Sequence, residues 1–280
     1  MRRHLIAGLL AAAVLPLGSR AAAAQAGHEH QVAAPQNPSD RKYPAGVPPI
    51  TDEDRKAAFP QLDERGHTVH DSAVHSFVLF DQFEAQAGNG ATALNWDNRG
   101  WAGGDVNRFW FRTEGNIDGG GITEAQGHAL FGRAIHRWWD LVAGVRQDFE
   151  PGPARTWAAI GIQGLAPYWF EVEATAYIGA AARTHFRLET EYELLLTNRV
   201  VLQPLVEIEI FGKSDPERGI GAGLSSAETG LRLRYEFRRE LAPYIGVTWH
   251  HKFFGTADFA RAAGEDAGGA RLATGLRWWF

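Results

Sequence analysis

The chain has 280 residues, with 28 Lys and Arg against 33 Asp and Glu for a net charge of −5, and 11% of it is aromatic, including 10 Trp. A mildly acidic chain without clustered Lys and Arg lacks a phosphate-neutralising surface, so no nucleic acid is expected as a partner. Cysteine is absent and Met1 is the sole methionine. That composition excludes zinc fingers, iron–sulfur centres, disulfide frameworks, thiolate nucleophiles and, once Met1 is removed, thioether metal sites.

Residues 1–26 carry the pattern of a signal peptide. Arg2, Arg3 and His4 form a positive start, residues 5–17 are apolar, and Ala24-Gln25-Ala26 is a small-x-small cleavage site. The apolar run is shorter than the ~20 residues that span a bilayer, so export is expected instead of anchoring. No Cys follows it to carry a lipid. Residues 27–76 are rich in Pro, His, Asp and Ala without a sustained period of 2 or 3.6, which predicts a flexible, disordered periplasmic arm. His28, His30, His67, His70 and His75 lie in it. Imidazoles so closely spaced in a flexible chain can gather around a metal ion, or can serve solubility alone.

Residues 77–280 alternate with period 2 in segments of about ten residues, the pattern of half-buried strands. Between Thr184 and Leu195, Phe186, Leu188, Thr190, Tyr192 and Leu194 alternate with His185, Arg187, Glu189, Glu191 and Glu193. Between Ala227 and Arg238, Thr229, Leu231, Leu233, Tyr235 and Phe237 oppose Glu228, Arg232, Arg234, Glu236 and Arg238. A soluble sandwich also alternates. The last segment decides, because Leu272, Thr274, Leu276, Trp278 and Phe280 share one face and Phe280 is terminal, which resembles the assembly signal of bacterial outer-membrane barrels. Aromatics at segment ends (Trp138, Trp139, Tyr168, Trp169, Tyr244) agree with an all-β, antiparallel outer-membrane β-barrel in contact with lipid.

The expected strands are 77–86, 92–99, 106–115, 122–133, 139–149, 156–165, 168–179, 184–195, 200–211, 227–238, 243–253 and 271–280. They make twelve strands, with ten as the alternative because the first two segments alternate least clearly. Connections 165–167, 196–199 and 239–242 are short and belong on the periplasmic side; 212–226 and 254–270 are long and belong outside.

Parity sends Glu171, Glu173, His185, Glu189, Glu191, Glu193, Glu207 and Glu209 into the lumen, together with Arg187, Arg232, Arg234 and Lys252. Two readings follow: an interior plugged by ion pairs, or a metal path lined by Glu and His. His128, His185 and His250 face inward by parity, and His251 faces outward or lies at the rim. No enzymatic activity is expected. Serine in the body is confined to Ser76, Ser214, Ser225 and Ser226, with no His in matching register, and the glycine clusters at 88–90 and 119–121 lack the Lys and helix of a phosphate loop.

Several motifs carry a resemblance that spans the body: Asp81-Gln82-Phe83-Glu84, Gly103-Gly104-Asp105-Val106-Asn107-Arg108-Phe109-Trp110, Arg137-Trp138-Trp139-Asp140, Gly161-Ile162-Gln163-Gly164-Leu165-Ala166-Pro167-Tyr168 and Gly219-Ile220-Gly221-Ala222-Gly223-Leu224. From about residue 81 to 280 the chain resembles the copper resistance protein B family of outer-membrane proteins. The resemblance implies a Gram-negative outer-membrane protein of copper resistance that acts beside a periplasmic multicopper oxidase. Family members often carry Met- and His-rich arms, whereas this arm has His alone. Copper sites are therefore expected to be of the Cu(II) type, built from nitrogen and oxygen donors. The candidates are His28, His30, His67, His70, His75, His128, His185, His250, Glu189 and Glu191. The expected function is to bind copper ions and to sequester them or move them across the outer membrane. A general small-solute pore and a structural barrel that docks the oxidase are the alternatives.

Overall fold

The computed structural model describes Pro48 and residues 50–58, 73–88 and 91–280. Two units are distinguished, one ending at His67 and one from Thr68 to Phe280. In the first, a short helix α1 (Asp52–Ala58) lies where the sequence pattern gives no element. It is fixed locally by a capping box: Thr51 N–H donates to Asp54 Oδ2 (2.8 Å) and Asp54 N–H to Thr51 Oγ1 (3.1 Å). The Thr51 hydroxyl also donates to Asp54 Oδ2 (2.7 Å), and this bond, with that from the Thr51 N–H, holds the Asp54 carboxyl below its ordinary pKa. His28, His30, His67 and His70 lie outside the described residues.

The second unit is a closed antiparallel barrel of twelve strands. They are β1 (His75–Gly88), β2 (Ala91–Gly103), β3 (Asn107–Asp118), β4 (Gly121–His136), β5 (Trp139–Glu150), β6 (Arg155–Leu165), β7 (Glu171–Gly179), β8 (Arg183–Glu191), β9 (Val200–Phe211), β10 (Gly223–Tyr235), β11 (Leu241–Lys252) and β12 (Gly268–Trp279). β8 breaks at Tyr192 and Glu193 and resumes at Leu194–Leu195, pairing with β9 on both sides of the gap. β12 pairs back onto β1, from Leu79 opposite Trp279 to Ala87 opposite Leu272. Val78 and Phe280 extend that seam with reciprocal backbone bonds of 2.9 and 3.1 Å. Closure leaves no strand edge, the condition for β-structure in hydrocarbon.

Alternation sorts the side chains. Phe109, Phe131, Val145, Ile160, Ile178, Leu231, Ile245 and Leu272 are exposed on the outer face, where they form the lipid-contacting band. Trp138 and Trp169 meet edge-on at 5.4 Å at one rim. Two details differ from the sequence pattern. Tyr168 and Trp169 are not strand residues, because the turn after Pro167 takes them to φ 67° and 69°, and β7 begins only at Glu171. Tyr244 is no rim residue. It is buried in the inward row, and the space for its ring comes from Gly275 opposite, where a Cβ would lie 2.6 Å from the ring.

The start of β1 and the end of β12 mark one end of the barrel, which by the rule for such barrels is periplasmic, and its connections are short. At the other end most turns are also brief, and two connections are long, 212–222 and 253–267; both are shorter than the sequence suggests because β10 and β12 begin early. These two loops pack together. Gly221 N–H donates to Thr256 Oγ1 (2.8 Å), and Thr256 begins the buried side of α2 (Phe254–Ala262). A Cβ at Gly221 would fall 2.5 Å from the Thr256 nitrogen, so only glycine permits this approach. Loop 212–222 also ties to distant strands, through an ion pair of Asp215 with Arg155 and through Arg218 to Asp148 (3.4 Å). Burial, and Arg155 nearby, lower the Arg218 pKa from its ordinary value, while Asp148 and Asp215 oppose that shift.

Two outcomes are expected. An epitope inserted in 253–267 will be labelled on intact cells and one at Thr197-Asn198 will not; labelling of the latter would reverse the orientation. Phe280→Asp will be synthesised and exported but will fail to appear as folded barrel in outer-membrane fractions.

Candidate functional site: the charged interior

The inward rows are dominated by Arg and Glu, and their long side chains meet across the lumen. Arg99 on β2 reaches β7, with Nη2 3.0 Å from Glu171 and Nη1 3.2 Å from Glu173. Arg112 on β3 lies 2.7 Å from Glu173. Arg187 on β8 pairs with Glu114 on β3, Glu207 on β9 (2.9 Å) and Glu189 on its own strand (3.1 Å). The space left among these groups is about 20 Å³, room for roughly one water. Nearer the seam, Arg232 makes a two-bond contact with Glu84 (2.8 and 2.9 Å), and Arg277 joins Asp81 (2.7 Å). Cross-wall ion pairs, which the plugged reading expects, are present in the lumen.

Among the described residues, the lumen histidines form no ion pair with Glu189 or Glu191. His185 is sandwiched between Phe211 (4.1 Å) and Tyr177 (5.0 Å). Arg146 Nη1 lies 3.3 Å from its Nδ1, which must accept, so the ring proton sits on Nε2, 3.3 Å from Glu209. Nδ1 is thereby engaged, while Nε2 faces Glu209 without completing a well-aligned hydrogen bond. His128 is buried edge-on to Tyr177 at 5.8 Å, with no hydrogen-bond partner on either nitrogen. His250 stands opposite Glu228 towards the outer end, and His251 stacks on Trp249 (5.4 Å). His75 is exposed at the start of β1. Glu189 is committed to Arg187, whereas Glu191 is buried and has no partner. Among the described residues, no three His, Asp or Glu side chains are grouped to hold a metal ion.

The geometry is that of an outer-membrane barrel with an ion-paired interior, and the comparisons say which one. Residues 74–280 match the family described as Copper resistance protein B precursor (CopB). The chain belongs to the copper resistance protein B family. It is 47% identical over 282 residues to the copper resistance protein B homolog of Pseudomonas syringae pv. tomato, covering 99% of this chain and 94% of that protein. It is 43% identical over 290 residues to copper resistance protein B of Escherichia coli, covering 99% and 97%. Among solved structures, the NanC porin superposes with a TM-score of 0.50 at 11% identity, over 73% of this chain and 99% of that one, a likeness of fold alone. Family membership establishes a role in copper resistance, and the barrel places the protein in the outer membrane. The relatives are named as resistance proteins and not as enzymes.

Period-2 reading missed Asp81, Glu84, Arg99 and Arg277. The first two have opposite parity, yet both are buried in the lumen. A bulge in β1 after Phe80 shifts the register against β2 and β12 and turns both inward. The Asp81-Gln82-Phe83-Glu84 run, polar on both parities, is the signal a bulge leaves in a sequence.

The Arg232–Glu84 pair is the sharpest test of the interior, since the side chains are 1% and 0% exposed. Arg232→Ala strands a buried carboxylate and is expected to destabilise the barrel by about 3–5 kcal/mol in urea unfolding from lipid vesicles. Adding Glu84→Leu to Arg232→Met should recover most of the loss, and an additive double mutant would show that the pair is not coupled.

Proposed function

We propose that this protein contributes to copper resistance by binding Cu(II) on the periplasmic face of the outer membrane and holding it there, with the barrel as the membrane anchor. The observation that carries this reading is the network of ion pairs across the lumen. Cross-wall ion pairs leave about 20 Å³ among them, and loop 212–222 is tied to the strand ends at the outer mouth, which disfavours a general solute pore. The donors then come from the chain segment before the barrel. With no Cys and no Met beyond Met1, imidazole, carboxylate and amine groups are the available ligands, and they suit Cu(II) better than Cu(I). His28, His30, His67 and His70 are imidazoles that precede β1 in sequence, and His75 adds one at its exposed first residue.

Purified full-length protein titrated with Cu(II) should give electron paramagnetic resonance spectra of nitrogen-rich tetragonal sites, and deletion of residues 27–72 should remove most of them. Ligation needs neutral imidazole, so occupancy should fall as pH drops through ~6.5. In planar bilayers the protein should show no large steady conductance with or without Cu(II). A wide conductance would favour the pore, and retention of all sites after the deletion would move the copper chemistry into the barrel.

A further inference from the structure

At the periplasmic end, the gap in β8 opens a cavity of about 470 Å³ beside the lumen mouth, within the size range of small-molecule sites. Its walls are Leu165, Trp169, Tyr192, Leu194 and Leu195, and its charged residues are Glu171, Glu191 and Glu193.

Glu191 sets this cavity apart. It is 3% exposed, and neither carboxylate oxygen has a hydrogen-bond partner. The neighbouring carboxylates have taken the available guanidiniums. Glu171 holds Arg99 (3.0 Å), Glu193 holds Arg234 (2.8 Å) and Arg277 (3.3 Å), and Asp81 holds Arg277 (2.7 Å) with Arg99 at 3.7 Å. A buried carboxylate left alone is costly, and a cation arriving from outside would relieve it.

The chemistry of the walls selects the kind of cation. A divalent metal ion needs several donors at once, but the adjacent carboxylates are bound to arginines and no three-donor group exists among the described residues. An alkyl chain, by contrast, suits the three leucines, and an ammonium suits the aromatic rings of Trp169 and Tyr192 as well as the Glu191 carboxylate. We propose that this cavity binds a small alkyl ammonium cation, of the diamine class, with Glu191 as its counter-ion. The site is separate from the copper chemistry and does not depend on it. It is reached from the periplasm.

The test is calorimetric titration of the full-length, detergent-solubilised protein with 1,4-diaminobutane and 1,5-diaminopentane, alongside thermal unfolding. Saturable binding that raises the melting temperature is expected for the native protein. Glu191→Gln should weaken it by about 30-fold or more, the scale for removing one partner of a buried charge pair. Leu195→Lys, which places an ammonium of its own in the wall, should abolish binding while leaving the barrel spectrum unchanged, and so covers a folding failure of the first variant. Absence of saturable binding, equal binding by the native protein and Glu191→Gln, or a Cu(II) site that depends on Glu191 without diamine binding would each overturn the assignment.

Discussion

The guanidinium of Arg99, bonded to Glu171 and Glu173 on a strand nearly opposite in the ring, expresses the constraint on which the interior depends. A ring of about eight strands is filled by ordinary side chains, while one of sixteen or more leaves water inside. Twelve strands fall between, too wide for Leu or Val to meet across the centre. Arg, Glu, Trp and Tyr are long enough, and a charged side chain that spans the gap must find its counter-charge on the other wall. The apolar cluster of Leu130, Val142, Trp157, Ala159 and Tyr177, with Trp110 against it, fills one sector in the ordinary way. Elsewhere ion pairs reach across the lumen beside buried residues such as Tyr244 and Val201.

This division explains which properties could be read in the sequence. The period of 2 is a local quantity, and it located every strand, including the weakly alternating first two, as well as the lumen face of Glu171, Glu189, Arg187 and His185. The partners across the lumen are not local. Arg99 and Glu173 are 74 positions apart, and Arg232 and Glu84 are 148 apart, so no spacing rule connects them. Where the backbone departs from regular alternation, face assignment departs with it. The bulge after Phe80 brings Asp81 and Glu84 to one side, and the left-handed residues after Pro167 remove Tyr168 and Trp169 from β7. Helix α1 depends on Thr51 and Asp54 and has no apolar stripe to announce it.

The candidate site was legible to a lesser degree. Parity placed His128, His185 and His250 inside the barrel, but their surroundings are set by tertiary packing. His185 is held by two aromatic rings and an arginine, and His128 lies against Tyr177. The acidic stretch Glu189, Glu191 and Glu193 looks uniform in sequence. In the barrel its members differ, since the first and third are bound to arginines and the middle one is not. The surplus of acid over base noted in the composition is thus concentrated, in part, at a single buried position. The family's role in copper resistance came from motifs, a different kind of information from either.

The bulge in β1 has a further consequence at the seam. Asp81 answers to Arg277 on the last strand and Glu84 to Arg232 on β10, so both contacts join the first strand to the final third of the chain. Neither can form while the sheet is open. An unfinished barrel therefore leaves Glu84 without its guanidinium and Asp81 with Arg99 alone (3.7 Å), and the joining of β12 to β1 completes both pairings at the same moment that it satisfies the backbone. Backbone pairing and charge matching become one cooperative step. A wrongly registered closure would fail on both counts, which gives the ring a built-in proofreading of its own topology.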